Sequence, residues 1–299
     1  MEGNTKRNLF QKKRRVGILG YGNLGKFLAT KIIESSNFEL AFVWNRTKVV
    51  LEECIESCVV LDNISDFKSR TPDIVVEVAH PSVTKNYGKR ILEYCDYMIG
   101  SPTALSDEFL FEELKAAARV NGLYVPSGAL WGGEDIRKMS DSGILQSLTV
   151  TMKKHPKSLK LEGYLKDKNA EVRNEAVVLY KGSVLDVCAL APHNTNTMAA
   201  AAIAAPNLGF KGVTGCLVSD PKLVDYHIVE IEGFGAPQTD GSSFQVHTIR
   251  KNPARIGAVT GFATAGAFFC SLKSKILTFL EKIKFLFLFS CLILEIIKN

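Results

Sequence analysis

Residues 16–25 read VGILGYGNLG, an apolar run that meets three glycines in G-x-G-x-x-G spacing and continues as an amphipathic stretch. No other segment constrains the fold as much. Gly20 lets a buried strand turn sharply, Gly22 lets the backbone approach a pyrophosphate, and Gly25 lets the next helix pack closely on the strand. Leu24, Phe27, Leu28 and Ile32 recur at helical spacing, so a helix starts near Asn23 with its N-terminus facing phosphate charge. Gly20, Tyr21, Gly22, Asn23, Leu24 and Gly25 are therefore expected to line a dinucleotide.

The pattern that follows supports this reading. Strand-like segments at 15–20, 39–44, 73–78, 96–99 and 122–125 alternate with helical patterns at 23–35, 47–56, 83–94 and 106–120. Such alternation predicts an α/β fold with a doubly wound parallel sheet of the Rossmann type. After Trp131 the texture changes. LTVTMKKHP, AVVLYKGSVLDVCALAP, TGCLVSDP, YHIVEIEGFG and SFQVHTI are β-rich and bounded by Pro, Gly or Asp, with an alanine-rich helix at 197–205 between them. A second α+β domain on a mainly antiparallel sheet is expected, with helices on one face. The predicted organisation is a basic flank at 1–14, a dinucleotide-binding domain at 15–130, a substrate domain at 131–251 and an apolar tail at 270–299. A helix at 257–269 is expected to return to the first domain, which 252–269 would complete.

The net charge of +6 belongs to the ends of the chain: residues 1–15 carry +5 and residues 270–299 carry +3, leaving −2 between them. That body is no electrostatic trap for nucleic acid. KKRR at 12–15 reads either as a nuclear address or as a solvated flank before the first strand. No apolar core follows the N-terminal charges, so no secretory signal is expected. The apolar or small run at 285–294 falls short of the roughly twenty residues that span a bilayer, which predicts a terminal amphipathic or buried helix, or weak membrane association, and no stable span. Seven cysteines without a CxxC pair predict a reducing, cytoplasmic location. Cys54 and Cys58 lie one helical turn apart, but nothing nearby completes a metal site.

An acidic residue about twenty positions beyond the glycines would favour NAD by bonding the ribose hydroxyls. Trp44, Asn45, Arg46 and Thr47 stand there instead, and Arg46 can pair a 2′-phosphate or simply begin the next helix at the surface. The cofactor is expected to be NADP or NAD, with Asn45 and Arg46 at its adenosine end and Ala79 and His80, after the third strand, nearer its reactive end.

With both halves in view, the chain resembles the L-aspartate dehydrogenase family from about residue 15 to residue 268. The resemblance rests on GYGNLG at 20–25, GSPTALSD at 100–107, PSGALWGGEDI at 126–136, PHNTNTMAAA at 192–201, SDPKLVDYHIVEIEG at 219–233 and NPARIGAVTG at 252–261. It implies reversible oxidative deamination of L-aspartate through iminosuccinate to oxaloacetate and ammonia. It also implies that His227 is the active-site residue and that Ala129 and Asn196 contact the nucleotide, with Asn194 adjacent to them. Residues 270–299 lie outside the resemblance.

The residue types suit that chemistry. Imine hydration and collapse need proton transfers near neutral pH, where imidazole gives and takes a proton. His227 shares strand parity with Val229 and Ile231 and should point to the covered face; taken alone, a lone histidine there reads first as a buried core residue, and the motif agreement reverses that reading. The Asn pair offers donors and acceptors to a carboxamide, and can equally cap the helix near Thr197. His193 lies near the same end. The substrate's carboxylates need cationic or amide donors, and Lys85, Lys166 and Arg173 are among the side chains able to supply them. An exposed antiparallel sheet predicts a homodimer. Two rival readings remain: a dihydrodipicolinate-reductase-like or sugar-dehydrogenase-like reductase, the latter weakened because Thr103 stands near where a catalytic lysine would be; and a non-catalytic NADP sensor or scaffold.

Overall fold

A computed structural model describes residues 12–48, 51 and 56–280. The flank at 1–11, most of the predicted helix at 47–56 including Cys54, and the tail at 281–299 with Cys291 lie outside the described residues. The first half forms β1 (Arg14–Leu19), α1 (Asn23–Ile33), β2 (Phe38–Trp44), β3 (Ile74–Glu77), α2 (Pro81–Leu92), β4 (Asp96–Ile99), α3 (Glu108–Ala117) and β5 (Leu123–Tyr124). The five strands are all parallel, in the order β2-β1-β3-β4-β5. The order reverses between β1 and β3, and at such a switch point the carboxyl ends of the strands open a crevice for a ligand.

Side-chain alternation explains why both faces are covered. Val16, Ile18, Ile74, Val76 and Met98 face one side, where they pack with Leu28 and Ile32 of α1. Leu19, Val75, Tyr97 and Ile99 face the other, with Ile91 and Leu92 of α2 and Leu114 of α3. His80 caps α2 by accepting a hydrogen bond from the Ser82 amide at 3.1 Å, and Asp107 caps α3 through the Leu110 amide at 3.2 Å.

The second half contains α4 (Gly133–Asp141), β6 (Leu145–Lys154), α5 (Tyr164–Ala170), β7 (Val177–Ser183), α6 (Val184–Leu190), α7 (Asn196–Ala204), β8 (Thr214–Ser219), β9 (Tyr226–Gly235), β10 (Gln245–Pro253) and α8 (Phe262–Leu280). Its sheet runs β10-β9-β6-β8-β7, antiparallel except for the β6–β8 pair. One β-rich expectation needs correction: AVVLYKGSVLDVCALAP is half strand and half helix. Ser183 ends the strand and caps α6, its hydroxyl accepting from the Asp186 amide at 3.2 Å, while Val184, Val187 and Cys188 bury one helical face.

The alanines of α7 let it lie buried on every side, between β6 and the turn Pro102–Ser106 of the first half. The predicted helix at 257–269 begins later, at Phe262, and Phe268 and Leu272 join the α1 side of the parallel sheet. Among the described residues no helix is long and apolar enough to cross a membrane, and no group of His, Cys, Asp or Glu is placed to hold a metal ion. Cys58, Cys95, Cys188, Cys216 and Cys270 are free thiols.

Candidate active site

A cleft opens where the two halves meet. Its floor comes from both. Leu24 of the glycine turn, Gly100 and Pro102 after β4, and the loop 126–129 after β5 line one side; Met152, Lys154, His193, Asn196, His227, Val229 and Asn252 line the other.

At the first-half end, Gly20 adopts φ +110°, and its backbone lies so close to β3 that a Cβ there would meet the Val78 carbonyl and the Ala79 nitrogen at 2.8 Å. A Cβ on Gly25 would stand 2.1 Å from the Gly20 carbonyl oxygen, whereas one on Gly22 would meet nothing within 4 Å. Two glycines are thus demanded by the fold itself and the middle one leaves open space, as the approach of a pyrophosphate requires. Asn45 shapes the turn, its Oδ1 accepting from the Tyr21 amide at 3.1 Å and its Nδ2 donating to the Thr47 carbonyl at 3.0 Å. Arg46 and Asn23 are exposed beside it.

Glu77 braces the crevice from below. Buried at the end of β3, it accepts from the Ala79 amide (2.7 Å), the Ser101 amide (2.9 Å) and the Ser101 hydroxyl (3.1 Å), joining the ends of β3 and β4. Burial pushes its carboxyl up to about 7, against the opposing pull of those donors. Past it, the His80 and His193 rings meet edge to face at 5.3 Å. Burial, and then His80, lowers the His193 imidazole below its ordinary value.

Asn194 and Asn196 divide their roles. Asn194 is committed to the backbone, its Oδ1 accepting from the Lys160 amide at 2.7 Å and its Nδ2 donating to the Ser158 carbonyl at 3.1 Å. Asn196 faces the cleft, where its Oδ1 accepts from the Thr103 hydroxyl at 3.4 Å. Neither caps the helix as the sequence allowed: Thr195 holds the N-cap position of α7, which has no side-chain cap bond. Ala129 lines the cleft in the loop 126–129, and Arg250 of β10 holds that loop by donating to the Gly128 carbonyl at 3.3 Å.

The chemical centre is a row across the second sheet. Ile228 pairs with Lys153 of β6 on one side and Lys251 of β10 on the other, and His227 pairs with Asn252. One step along the strands, Lys154, His227 and Asn252 are therefore transverse neighbours on one face, with Met152 and Val229 beside them in the cleft wall. His227 Nε2 and Asn252 Oδ1 are both buried with no hydrogen-bond partner. Such atoms in folded proteins are nearly always completed, by ordered water or by a ligand. The other ring nitrogen of His227 is left to meet the Ala258 carbonyl oxygen, the hydrogen-bond partner that raises its basicity. Burial, followed by the Lys154 charge, outweighs that contact and lowers the imidazole to about 4. The ring is neutral at pH 7, with its Nε2 lone pair facing the cleft.

Lys154 and Asn252 escaped the sequence reading, although a signal existed: Lys154 shares parity with Val150 and Met152, the buried side of β6. The cationic residues considered from sequence do not line this cleft. Lys85 pairs with Asp107 at 3.2 Å, Arg173 donates to the Ala170 and Val172 carbonyls, and Lys166 is exposed.

These residues fit a nicotinamide dinucleotide: open space at Gly22, a crevice at the switch point, and orphaned polar atoms farther along the same cleft. The comparisons agree. Residues 20–126 match a family described as homoserine dehydrogenase, NAD binding domain, and residues 135–271 match aspartate dehydrogenase, C-terminal. An aspartate dehydrogenase domain-containing protein of Danio rerio is 50% identical, over 87% of this chain and 94% of its own length. An L-aspartate dehydrogenase of Nitrosopumilus maritimus is 29% identical over 74% of this chain and 84% of its own. The fold is similar to that of aspartate dehydrogenase from Thermotoga maritima, with a TM-score of 0.65 at 24% identity, covering 92% of this chain and all of that one. The chain belongs to the aspartate dehydrogenase family and is an oxidoreductase that takes NAD or NADP.

Proposed function

We propose that this protein is an L-aspartate dehydrogenase, converting L-aspartate reversibly to iminosuccinate and then to oxaloacetate and ammonia. The observation that carries the proposal is the lone, buried Nε2 of His227, held neutral in a cleft shared with the glycine turn. The relatives named L-aspartate dehydrogenase support the choice of substrate.

When bound, the nicotinamide supplies the acceptor for the hydride that leaves the substrate's Cα. Gly20, Gly22, Gly25 and the N-terminus of α1 take the pyrophosphate, with Tyr21, Asn23 and Leu24 around it. Asn45 and Arg46 take the adenosine end. Ala79, His80, Ala129 and Asn196 border the reactive end, and Asn194 holds the loop that presents Asn196.

His227 does the proton work on the imine. Its Nε2 takes a proton from water as the water oxygen bonds to the imine carbon. The imidazolium then returns that proton to the nitrogen; as the C–N bond breaks, Nε2 takes the proton of the new hydroxyl while its oxygen becomes the ketone, and oxaloacetate and ammonia leave. The apolar wall of Met152 and Val229 limits bulk water beside the ring. A cytoplasmic homodimer accompanies this reading; Phe234, Phe244 and Ile249 are exposed on β9, β10 and the strand connection, where a second copy can cover them.

The test is absorbance at the reduced-nicotinamide band with L-aspartate and each nucleotide, run against a panel of amino acids and sugar alcohols. Signal with L-aspartate above every other compound is expected; nucleotide binding without turnover on any compound would refute the proposal. Arg46 makes no ion pair among the described residues, whereas its neighbour Lys48 is occupied by Asp62 at 2.7 Å. Arg46→Ala should therefore raise KM for NADP by about tenfold or more, as loss of a charged hydrogen bond does, and leave KM for NAD nearly unchanged. An unchanged NADP constant would remove Arg46 from the site.

A further inference from the structure

Lys154 is a buried cation with no counter-charge. Its side chain is almost wholly enclosed, the residue being 4% exposed, and Nζ donates to the Val259 carbonyl at 2.9 Å. No carboxylate lies within 4 Å of it among the described residues. The titratable groups lining the cleft are Lys154, His193 and His227, so the wall contains no acid to compensate the ammonium. An unpaired buried charge is costly, so one kept at a cleft wall is a site suited to an anion. Burial alone already lowers the ammonium to about 8.

The opposite end of the row has the complementary need. Asn252 Oδ1 is a buried acceptor without a donor. Between the two stands His227 with its own free lone pair. The row thus presents a cation, a proton acceptor and a hydrogen-bond acceptor on three adjacent strands, at cross-strand spacings of about 5 Å.

We infer that Lys154 anchors a carboxylate of the substrate and that Asn252 Oδ1 receives the substrate's amino group, which sets the reacting carbon opposite His227. This rests on the proposed amino-acid substrate and adds the residues that recognise and orient it. A bound carboxylate also offsets the Lys154 charge, which after burial is the second cause that lowers the His227 imidazole, so the ring becomes a better proton acceptor once substrate is seated. Carboxylate binding and proton transfer are coupled through one pair of neighbours.

The experiment uses succinate, a carboxylate that cannot be oxidised at an amine, titrated calorimetrically into the full-length protein saturated with NADPH. Lys154→Met should weaken succinate binding and raise KM for L-aspartate by about 10- to 100-fold, as loss of a charged hydrogen bond does, with nucleotide affinity unchanged. Lys154→Arg should recover part of both. In the wild type, succinate affinity should fall as pH rises above about 8, where the ammonium loses its proton. That arm needs no variant, so it stands even if Lys154→Met folds poorly.

Wild type that fails to bind succinate, or binds it equally at pH 7 and pH 10, overturns the inference. So does a Lys154→Met protein with unchanged succinate affinity, whether its kcat is normal or lost; a lost kcat would make Lys154 a proton-transfer group instead. Lys154-dependent succinate binding without oxidation of L-aspartate would sustain the anchor while refuting the dehydrogenase reading. Oxidation of L-aspartate with an indifferent Lys154→Met would do the reverse.

Discussion

His227→Ala is expected to lower kcat with L-aspartate by about 10²- to 10⁴-fold, the range over which a positioned acid–base group acts, while nucleotide affinity stays within about twofold. The residue is 5% exposed and Nε2 bonds to nothing in the protein, so truncation leaves no protein donor stranded by loss of that atom. The other ring nitrogen's bond to the Ala258 carbonyl is lost and a cavity opens, so a folding cost of about 1–3 kcal/mol accompanies the variant, and kcat is compared on protein shown to be folded. With the imidazole lowered to about 4, the neutral, competent form persists as pH falls from 7 to 5. An ordinary histidine would lose half its neutral form near 6.5. Consequently the acid side of the wild-type kcat/KM profile should show no histidine limb near 6.5. Near-normal turnover by His227→Ala would end the assignment, and an acid limb at 6.5 that the variant lacks would place the free ring in a more solvated state than the structure has.

The glycine turn should separate folding from binding. Gly22→Ala is expected to leave stability within about 0.5 kcal/mol of wild type, because Gly22 has φ −76° and its new methyl meets no atom within 4 Å. Yet it should weaken nucleotide binding by about 100-fold or more, since the open space is where the pyrophosphate must approach the backbone. Gly25→Ala should fail in the opposite manner. Its methyl would stand 2.1 Å from the Gly20 carbonyl oxygen, so α1 must move away from the end of β1, at a cost of about 1–3 kcal/mol or more for overpacking. Denaturation midpoints together with nucleotide titrations distinguish the two. Equal loss of stability in both variants would show that Gly22 is also a folding residue; unaltered nucleotide affinity in Gly22→Ala would move the pyrophosphate elsewhere.

Much of the parallel half was legible because its signals are local. The apolar runs around Val16–Leu19 and Ile74–Glu77 and the period of α3 each lie within a dozen residues, and the observed elements match the predicted ones to within a few positions. The second half was read less well where one segment changes state without a break. The switch at Ser183 turns on a capping hydroxyl, and valines that suit a strand also suit a buried helical face. Within the cleft, Leu24, Ala129, Asn196 and His227 were found through motifs, and the structure brings them to one wall system with Lys154 and Asn252, which no motif announced. Asn194, expected beside the nucleotide, also lines the cleft. Its side chain is spent on the Lys160 and Ser158 backbone.

From the sequence alone came the dinucleotide turn and the two kinds of sheet, which short-range sterics and periodicity write into contiguous residues, and the family, which came through the resemblance of its motifs. The tertiary structure alone decided that Lys154, His227 and Asn252 stand in one row. Their adjacency follows from the pairing of β6 with β9 and of β9 with β10, strands far apart in the chain whose register depends on the whole buried face. A one-residue slip of any of the three strands would turn that strand's side chain away from the cleft, and nothing within any single strand declares which partner residue it will meet.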